Sequence, residues 1–304
     1  MAERKITRRG FGSMVGGGMA AAGLGGILSP LPVFGQEVSG AAGNLTAGDV
    51  VGRIRKQLEA EGVRWLESGS GTVDTIKTGH EATAVTGIAT TFMATLDVMK
   101  RSADKGLNFI ISHEPTYWNH MDQTAQLAGD AAFEAKKRFV DENNIVVWRF
   151  HDMWHARRPD PVFAAFAVQL GFGEAERGVY TVPAMSLGEL GVLVAEKLGS
   201  TNVRVGGDSE MEVKTVGFNA HRLSATVRQL GRCDAVIMGE PREFDTFEYF
   251  RDAGEMGAAK GLVGVSHNML EEWGMLEPCA GWVRGFVGEV PVEGVAAEEM
   301  YWVL

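Results

Sequence analysis

Three short stretches bring imidazole and carboxylate groups together: His113 and Glu114 in "FIISHEP", His151, Asp152 and His155 in "VVWRFHDMWH", and His267 and Glu271 in "GLVGVSHNMLEE". Each opens on a run of apolar, β-favouring residues, so the polar groups stand at strand ends. Four of the seven histidines fall in these three places, more than scattered surface histidines would give. His and Glu are poor residues to bury without partners. They must either leave the sheet into solvent or line a polar site. Imidazole with carboxylate is a donor set for zinc, manganese or iron. If a helix begins at His267, Glu271 projects from the same face four residues on. Carboxylates can bridge two ions, and two ions about 3.5–4 Å apart can activate water and polarise a phosphoryl or carbonyl oxygen. The plainer alternatives are hydrogen-bonded surface histidines and a surface pair at i,i+4. Glu240 in "IMGEP" ends a further strand signal. It is the candidate for orienting substrate or acting as a base; its alternative role is a carboxylate stabilised at a helix N-terminus.

The elements that must position these groups alternate in type. Apolar spacing predicts a helix over 46–65, capped by Thr46 or Asp49. Strand signals follow at 83–92, 107–113 and 145–151, separated by helical stretches at 95–106 and 128–144. A helix with proline in its first turn covers 159–171. This is a βαβαβ run, which implies a largely parallel sheet covered by helices. The second half repeats the style. Helices are predicted at 186–199, 223–231 and 243–254, and strands at 202–207, 213–220, 233–240 and 260–267. A final helix over 269–287 is interrupted near Pro278. The fold class is therefore α/β: two lobes, about 46–172 and 186–304, with mainly parallel or mixed sheets flanked by helices. In such sheets ligands bind at the carboxyl ends of the strands, which is where the candidate residues lie.

A chain of 304 residues, 45% hydrophobic and 22% charged, has the material for a sizeable core. Its net charge of −10 argues against a nucleic-acid or anionic-membrane surface. Cys233 and Cys279 are too far apart for a CxxC motif. Two buried free thiols are the favoured state, with one disulfide as the alternative. The glycine-rich stretch after residue 65 has neither GxGxxG nor Walker spacing.

The N-terminus reads as an address. Arg8 and Arg9 precede a weakly apolar, glycine-heavy segment, the plan of a twin-arginine export signal over residues 1–35, with a linker at 36–45. Removing residues 1–35 takes away Arg4, Lys5, Arg8, Arg9 and Glu3, a loss of three net positive charges, from −10 to −13. The expectation is a periplasmic or extracellular protein with no stable membrane anchor after cleavage; a retained anchor is the alternative.

The stretches "KGLNFIISHEPTYW", "NIVVWRFHDMWH", "CDAVIMGEPREFDTFEYFRDAG" and "VGVSHNMLEEWG" resemble the Nif-three-like dinuclear-metal family, some members of which carry the designation GTP cyclohydrolase I, type two. The likeness spans about residues 46–304. It implies two divalent ions between the lobes, a ring-like hexamer and a small-molecule substrate. Residue by residue, His113, His267 and Glu271 match family ligands. Glu114 stands where the family has a second histidine. His151 matches the middle histidine, so the expected aspartate falls on His155. His113, Glu114, His155, His267 and Glu271 keep the family inventory of three imidazoles and two carboxylates, with Asp152 competing with His155 for the third position. The function implied is a metal-dependent hydrolase of a phosphoester, amide or ring C–N bond; the alternative is a metal-binding or scaffold protein without turnover.

Overall fold

The computed structural model describes residues 45–303. The export-signal reading of residues 1–35, and all but the last residue of the linker at 36–45, lie outside them. The first helix, α1 (Ala47–Ala60), buries Ala47, Val50, Ile54 and Leu58 on one face. Both capping candidates take part: Thr46 Oγ1 accepts from the Asp49 N–H, and Asp49 accepts from the Thr46 N–H. The helix stops short of residue 65 because Gly62 takes a positive φ of 79°.

The first sheet contains β1 (Ile76–Thr78), β2 (Ile88–Met93), β3 (Phe109–Glu114) and β4 (Val146–Arg149). β2, β3 and β4 run parallel, and β1 lies antiparallel on the outer edge of β4. The crossover helices are α2 (Leu96–Asp104) and α3 (Ala131–Glu142). Side chains alternate across the strands. Phe109, Ile111, Val146 and Trp148 pack on α1, while Ile110 and Val147 pack with Val98, Met99 and Val140 of α2 and α3. A short helix, α4 (Asp152–Ala156), leaves the end of β4, and α5 (Pro161–Leu170) follows, capped by Asp160.

The second sheet has the order β5 (Val179–Ser186), β7 (Glu212–Asn219), β8 (Ala235–Gly239), β9 (Gly261–Val265), β6 (Arg204–Gly206). Its three central strands are parallel and both edges antiparallel. Helices α6 (Leu187–Leu198), α7 (Leu223–Leu230) and α8 (Glu248–Glu255) cover it, and a π-helical turn at Glu243–Phe247 precedes α8. The stretch read as a boundary, 172–186, is largely β5. Its alternating buried and exposed residues are those of an edge strand, without the continuous apolar run of a central one.

The chain then enters α9 (His267–Met275) and α10 (Glu277–Arg284), and ends the first sheet with β10 (Val292–Gly294), parallel to β2. The second lobe therefore does not run to residue 304. The first sheet closes on residues from both ends of the described chain, and the second is inserted within it. Both sheets are mixed, as the fold class allows. Cys233 and Cys279 are buried free thiols. Among the described residues no helix is long and apolar enough to cross a membrane.

Helix α9 joins the two sheets. Every residue of it except Trp273 is buried, including His267, Asn268, Glu271 and Glu272. The close approach of α5 depends on Gly274, where an added Cβ would lie 2.6 Å from the Val162 Cα. That neighbour is backbone and cannot rotate away. Gly274→Ala is expected to lower stability by about 1–3 kcal/mol, the usual range for overpacking, as measured by denaturant unfolding. Unchanged stability would mean that the two helices are not in backbone contact.

Candidate metal centre

The parallel strands of both sheets deliver their carboxyl ends to the N-terminal half of α9. His113 and Glu114 end β3, His151 follows β4, Glu240 follows β8, and His267 starts α9 directly after β9. The turn into α4 is pinned by Asp74. Its carboxylate accepts the backbone N–H groups of His151 (2.7 Å), Asp152 (2.9 Å) and Met153 (2.8 Å). Burial pushes the Asp74 pKa up, against the lowering effect of these three bonds. The short helix is thus held by a residue distant in sequence, which fixes where His151 and His155 emerge.

Four imidazoles are anchored alike. His113 Nδ1 lies 3.1 Å from the Phe150 carbonyl, His151 Nδ1 2.9 Å from Asp152, His155 Nδ1 2.8 Å from Asp160, and His267 Nδ1 3.2 Å from Glu240. A carbonyl or carboxylate oxygen can only accept, so Nδ1 carries the proton in each ring. In the neutral ring, Nε2 then presents a lone pair. These lone pairs converge. His113 Nε2 and His155 Nε2 face each other at 3.2 Å. His267 Nε2 lies 2.9 Å from Glu271 Oε2, and His151 Nε2 3.5 Å from Glu114 Oε1. Two lone pairs at such distances repel unless a proton or a metal ion lies between them. Neither His267 Nε2 nor Glu271 Oε2 makes a hydrogen bond, although both atoms are buried.

The carboxylates complete the set. Glu271 is 1% exposed; its Oε2 is 3.2 Å from His113 Nε2 and its Oε1 3.9 Å from His155 Nε2. Glu114 is held through Oε2 by the buried Arg149 guanidinium at 3.0 Å, leaving Oε1 toward His151 and His267. Arg149 also bonds the carbonyls of His113 and His120, tying the loop after β3 to the strand end. Two groups of ligand atoms lie close enough to hold an ion: His113 with His151 and His155, and His113 with Glu114 and Glu271. The residues therefore fit a metal.

Protons compete for the same atoms. Burial lowers the His151 pKa to about 4, so this ring is neutral and available. At His267 burial opposes charge, but Glu271, Glu240 and Glu114 outweigh it and raise the pKa well above the ordinary imidazole value. At His155 burial is likewise outweighed, chiefly by Asp160, and the pKa rises. Burial would raise the Glu271 pKa, yet His267 and His113 hold it well below the ordinary carboxylate value.

Of the residues expected from sequence, His113, Glu114, His155, His267 and Glu271 come together here. Asp152 is turned away: one oxygen takes His151 Nδ1, and the other takes the Thr72 hydroxyl and the Val73 N–H. It orients an imidazole and does not face the cluster. The ligand-like group absent from the expected set is His151. Its signal was the adjacent His–Asp pair, which suits an oriented imidazole as well as a choice between two ligands. Glu240 accepts from His267 through Oε1 and stays half-exposed at the rim, its pKa lowered by that bond. Its backbone has a positive φ of 49°, uncommon for a non-glycine residue and typical of strained functional positions. His120 and His221 add rings beside His151 and His267.

The chain has relatives among known proteins. The Duf34/NIF3 (NGG1p interacting factor 3) family model matches residues 75–277. No curated protein matches the chain. Among solved structures it is similar to a Bacillus cereus protein related to NIF3 (12% identity, TM-score 0.68, covering 85% of this chain and 99% of that one). It is also similar to the Staphylococcus aureus hypothetical protein SA1388 (17% identity, TM-score 0.65, 86% and 100%). A third likeness is to TTHA1606 from Thermus thermophilus (14% identity, TM-score 0.61, 85% and 100%). At these identities the likeness to solved structures concerns the fold.

Two outcomes follow for metal binding. The raised pKa values of His155 and His267 stabilise the metal-free protein below those values, and that contribution is lost as pH rises through them. The lowered Glu271 pKa contributes stability that is lost as pH falls through it. An ion must displace the histidine protons, so affinity is expected to rise with pH across the neutral range. Calorimetry in buffers of different ionisation enthalpy should then register proton release; no release would contradict the assignment of protonated rings. Asp160→Ala, which frees the His155 ring, is expected to weaken zinc about 10–100-fold, read by chelator competition.

Proposed function

The chain belongs to the Duf34/NIF3 family, and we propose that it is an exported, dinuclear metal-dependent hydrolase acting on a small molecule. The observation that carries this reading is the convergence of four Nε2 lone pairs and two carboxylates on a buried space where His267 Nε2 and Glu271 Oε2 have no hydrogen-bond partner. His151 and His155, with His113, would hold one ion, and Glu114 and Glu271, with His267 beside them, the other. Imidazole and carboxylate suit zinc, manganese or iron. Such ions, when bound, supply Lewis acidity and water activated near neutral pH.

The chain's own groups do the rest. Arg149 holds the Glu114 carboxylate by one oxygen and aims the other inward. Asp152, Asp160 and Glu240 fix the imidazole tautomers. Glu240 also reaches the rim, where its lowered pKa keeps it ionised, a hydrogen-bond acceptor that can orient a substrate hydroxyl or amine. The bond cleaved is a phosphoester, an amide or a ring C–N bond; the last rests on resemblance to family members designated GTP cyclohydrolase I, type two. A second reading, metal holding without turnover, is favoured by the near-complete burial of His113 and Glu271, at 0% and 1% exposure.

Elemental analysis of metal-replete protein is expected to give about two divalent ions per chain, with His267→Ala losing at least one. A native preparation with none would end the proposal. A phosphatase and amidase screen with added zinc or manganese separates the two readings: turnover abolished by His267→Ala supports the hydrolase, and metal without turnover supports the holder.

Export belongs to the proposal through Arg8 and Arg9 ahead of the apolar segment. Replacing both with lysine is expected to leave precursor in the cytoplasm, seen by fractionation; unchanged export would remove this part. A hexamer is proposed from the family resemblance alone, and light scattering would decide it.

A further inference from the structure

Beside the cluster lies a groove of about 300 Å³ lined by Asn202, Arg204, Glu240, Val265, Ser266 and Tyr301. Two of these residues tie it to the candidate centre. Glu240 holds His267 Nδ1 at 3.2 Å, and Ser266 immediately precedes His267. Arg204 enters from the neighbouring edge strand, where it pairs with Gly264 of β9. The groove thus opens on the outer side of His267.

Arg204 is the group that asks for a ligand. It makes no ion pair or hydrogen bond through its guanidinium among the described residues. It lies over the Phe247 ring, whose centroid is 5.7 Å from the guanidinium carbon. A stacked guanidinium keeps its in-plane N–H donors available, and that fork matches an oxyanion. Helix α9 adds to the same end. Its N-cap, Ser266, gives no side-chain cap; the hydroxyl instead donates to Glu299 (2.5 Å) and accepts from Asn202 (3.2 Å). The positive end of the helix is therefore left uncapped by its own serine. Tyr301 supplies an exposed aromatic side chain to the lining. The segment before it is held on α9 by the Ala297 and Glu298 N–H groups, which donate to Glu272, and by the Asn268 amide. Glu240 would repel an anion placed on its own side, which sets the ligand's direction in the groove.

We propose that this groove binds a small molecule bearing an oxyanion and a ring, with Arg204 gripping the oxyanion and Tyr301 covering the ring. The claim rests on the proposed function, in that it makes the groove the substrate's entry to the His267 side of the centre. A phosphate and a carboxylate share the chemistry that Arg204 recognises. Arg204 is exposed and Tyr301 lies on the surface, so their replacement leaves the core intact.

The test is calorimetric titration of the full chain, zinc-loaded and zinc-free, with phenyl phosphate, benzoate and phenol. Arg204→Gln is expected to weaken the anion that binds at least about tenfold, within the range for a charged hydrogen-bonded pair, and to leave phenol unchanged. Arg204→Lys, a charge without the fork, should lose less. Tyr301→Ala should weaken phenyl phosphate and phenol alike. Preference for phenyl phosphate over benzoate identifies phosphate as the oxyanion, and the reverse identifies carboxylate. Anion affinity unchanged in Arg204→Gln while zinc still binds overturns the inference and spares the metal reading. Failure of the wild type to bind either anion overturns it too. A wild type that takes no zinc but shows Arg204-dependent anion binding leaves the groove standing and sinks the metal reading.

Discussion

An imidazole, an amide and two carboxylates on one short helix are buried between two sheets, and such burial is unfavourable unless each group finds a partner. Helix α9 meets this constraint in two ways. The Asn268 side-chain N–H donates to the Glu298 carbonyl, and Glu272 accepts from the Ala297 and Glu298 N–H groups. His267 Nε2 and Glu271 Oε2 are left without a hydrogen bond and face each other, with His113 beside them. The first pair fastens the helix; the second leaves a requirement for positive charge, which protons or metal ions can meet. The strand ends, the loop carrying Asp74 and the turn into α4 are arranged around that requirement.

The supporting groups are as specific as the cluster. Each imidazole has one acceptor on Nδ1, and each acceptor comes from a different place: a backbone carbonyl, an adjacent aspartate, a helix cap and a residue in a left-handed conformation. Asp160 is a clear example, since the same carboxylate caps α5 and orients His155. Helix position and ring orientation are thereby coupled. Close backbone packing at Gly274 adds rigidity, because α9 cannot shift without moving α5. Preorganisation of this kind lowers the reorganisation a ligand must drive on binding.

Much of this was legible in the sequence, for identifiable reasons. His113 and Glu114 follow the apolar residues Phe109, Ile110 and Ile111 after a single serine, and His267 and Glu271 have helical spacing, so strand end and helix face could be read directly. The central parallel strands were legible for the same reason. Edge elements were not: β1 and β10 have three residues each, and β5 alternates like a surface strand. The return of β10 to the first sheet is a tertiary pairing without a local signal. Asp74 and Arg149 were hidden because their roles arise from contacts 29 to 79 residues away in sequence. For Asp152 and His151 the local pattern was visible, but only the direction of each side chain separates orienter from ligand.

The insertion of one sheet inside another orders events during synthesis. A ribosome releases β2, β3 and β4 early, yet α9 and β10 emerge only after the whole second sheet. Until then β2 has an unpaired edge and His113 and Glu114 lack Glu271 across from them. The nascent first sheet is a template awaiting its final strand, exposed for the time needed to translate roughly two hundred residues, about 10–40 s at common elongation rates. The completed set of inward-facing groups arises only after α9 has been made, so any metal loading at this centre would have to follow synthesis of the second sheet.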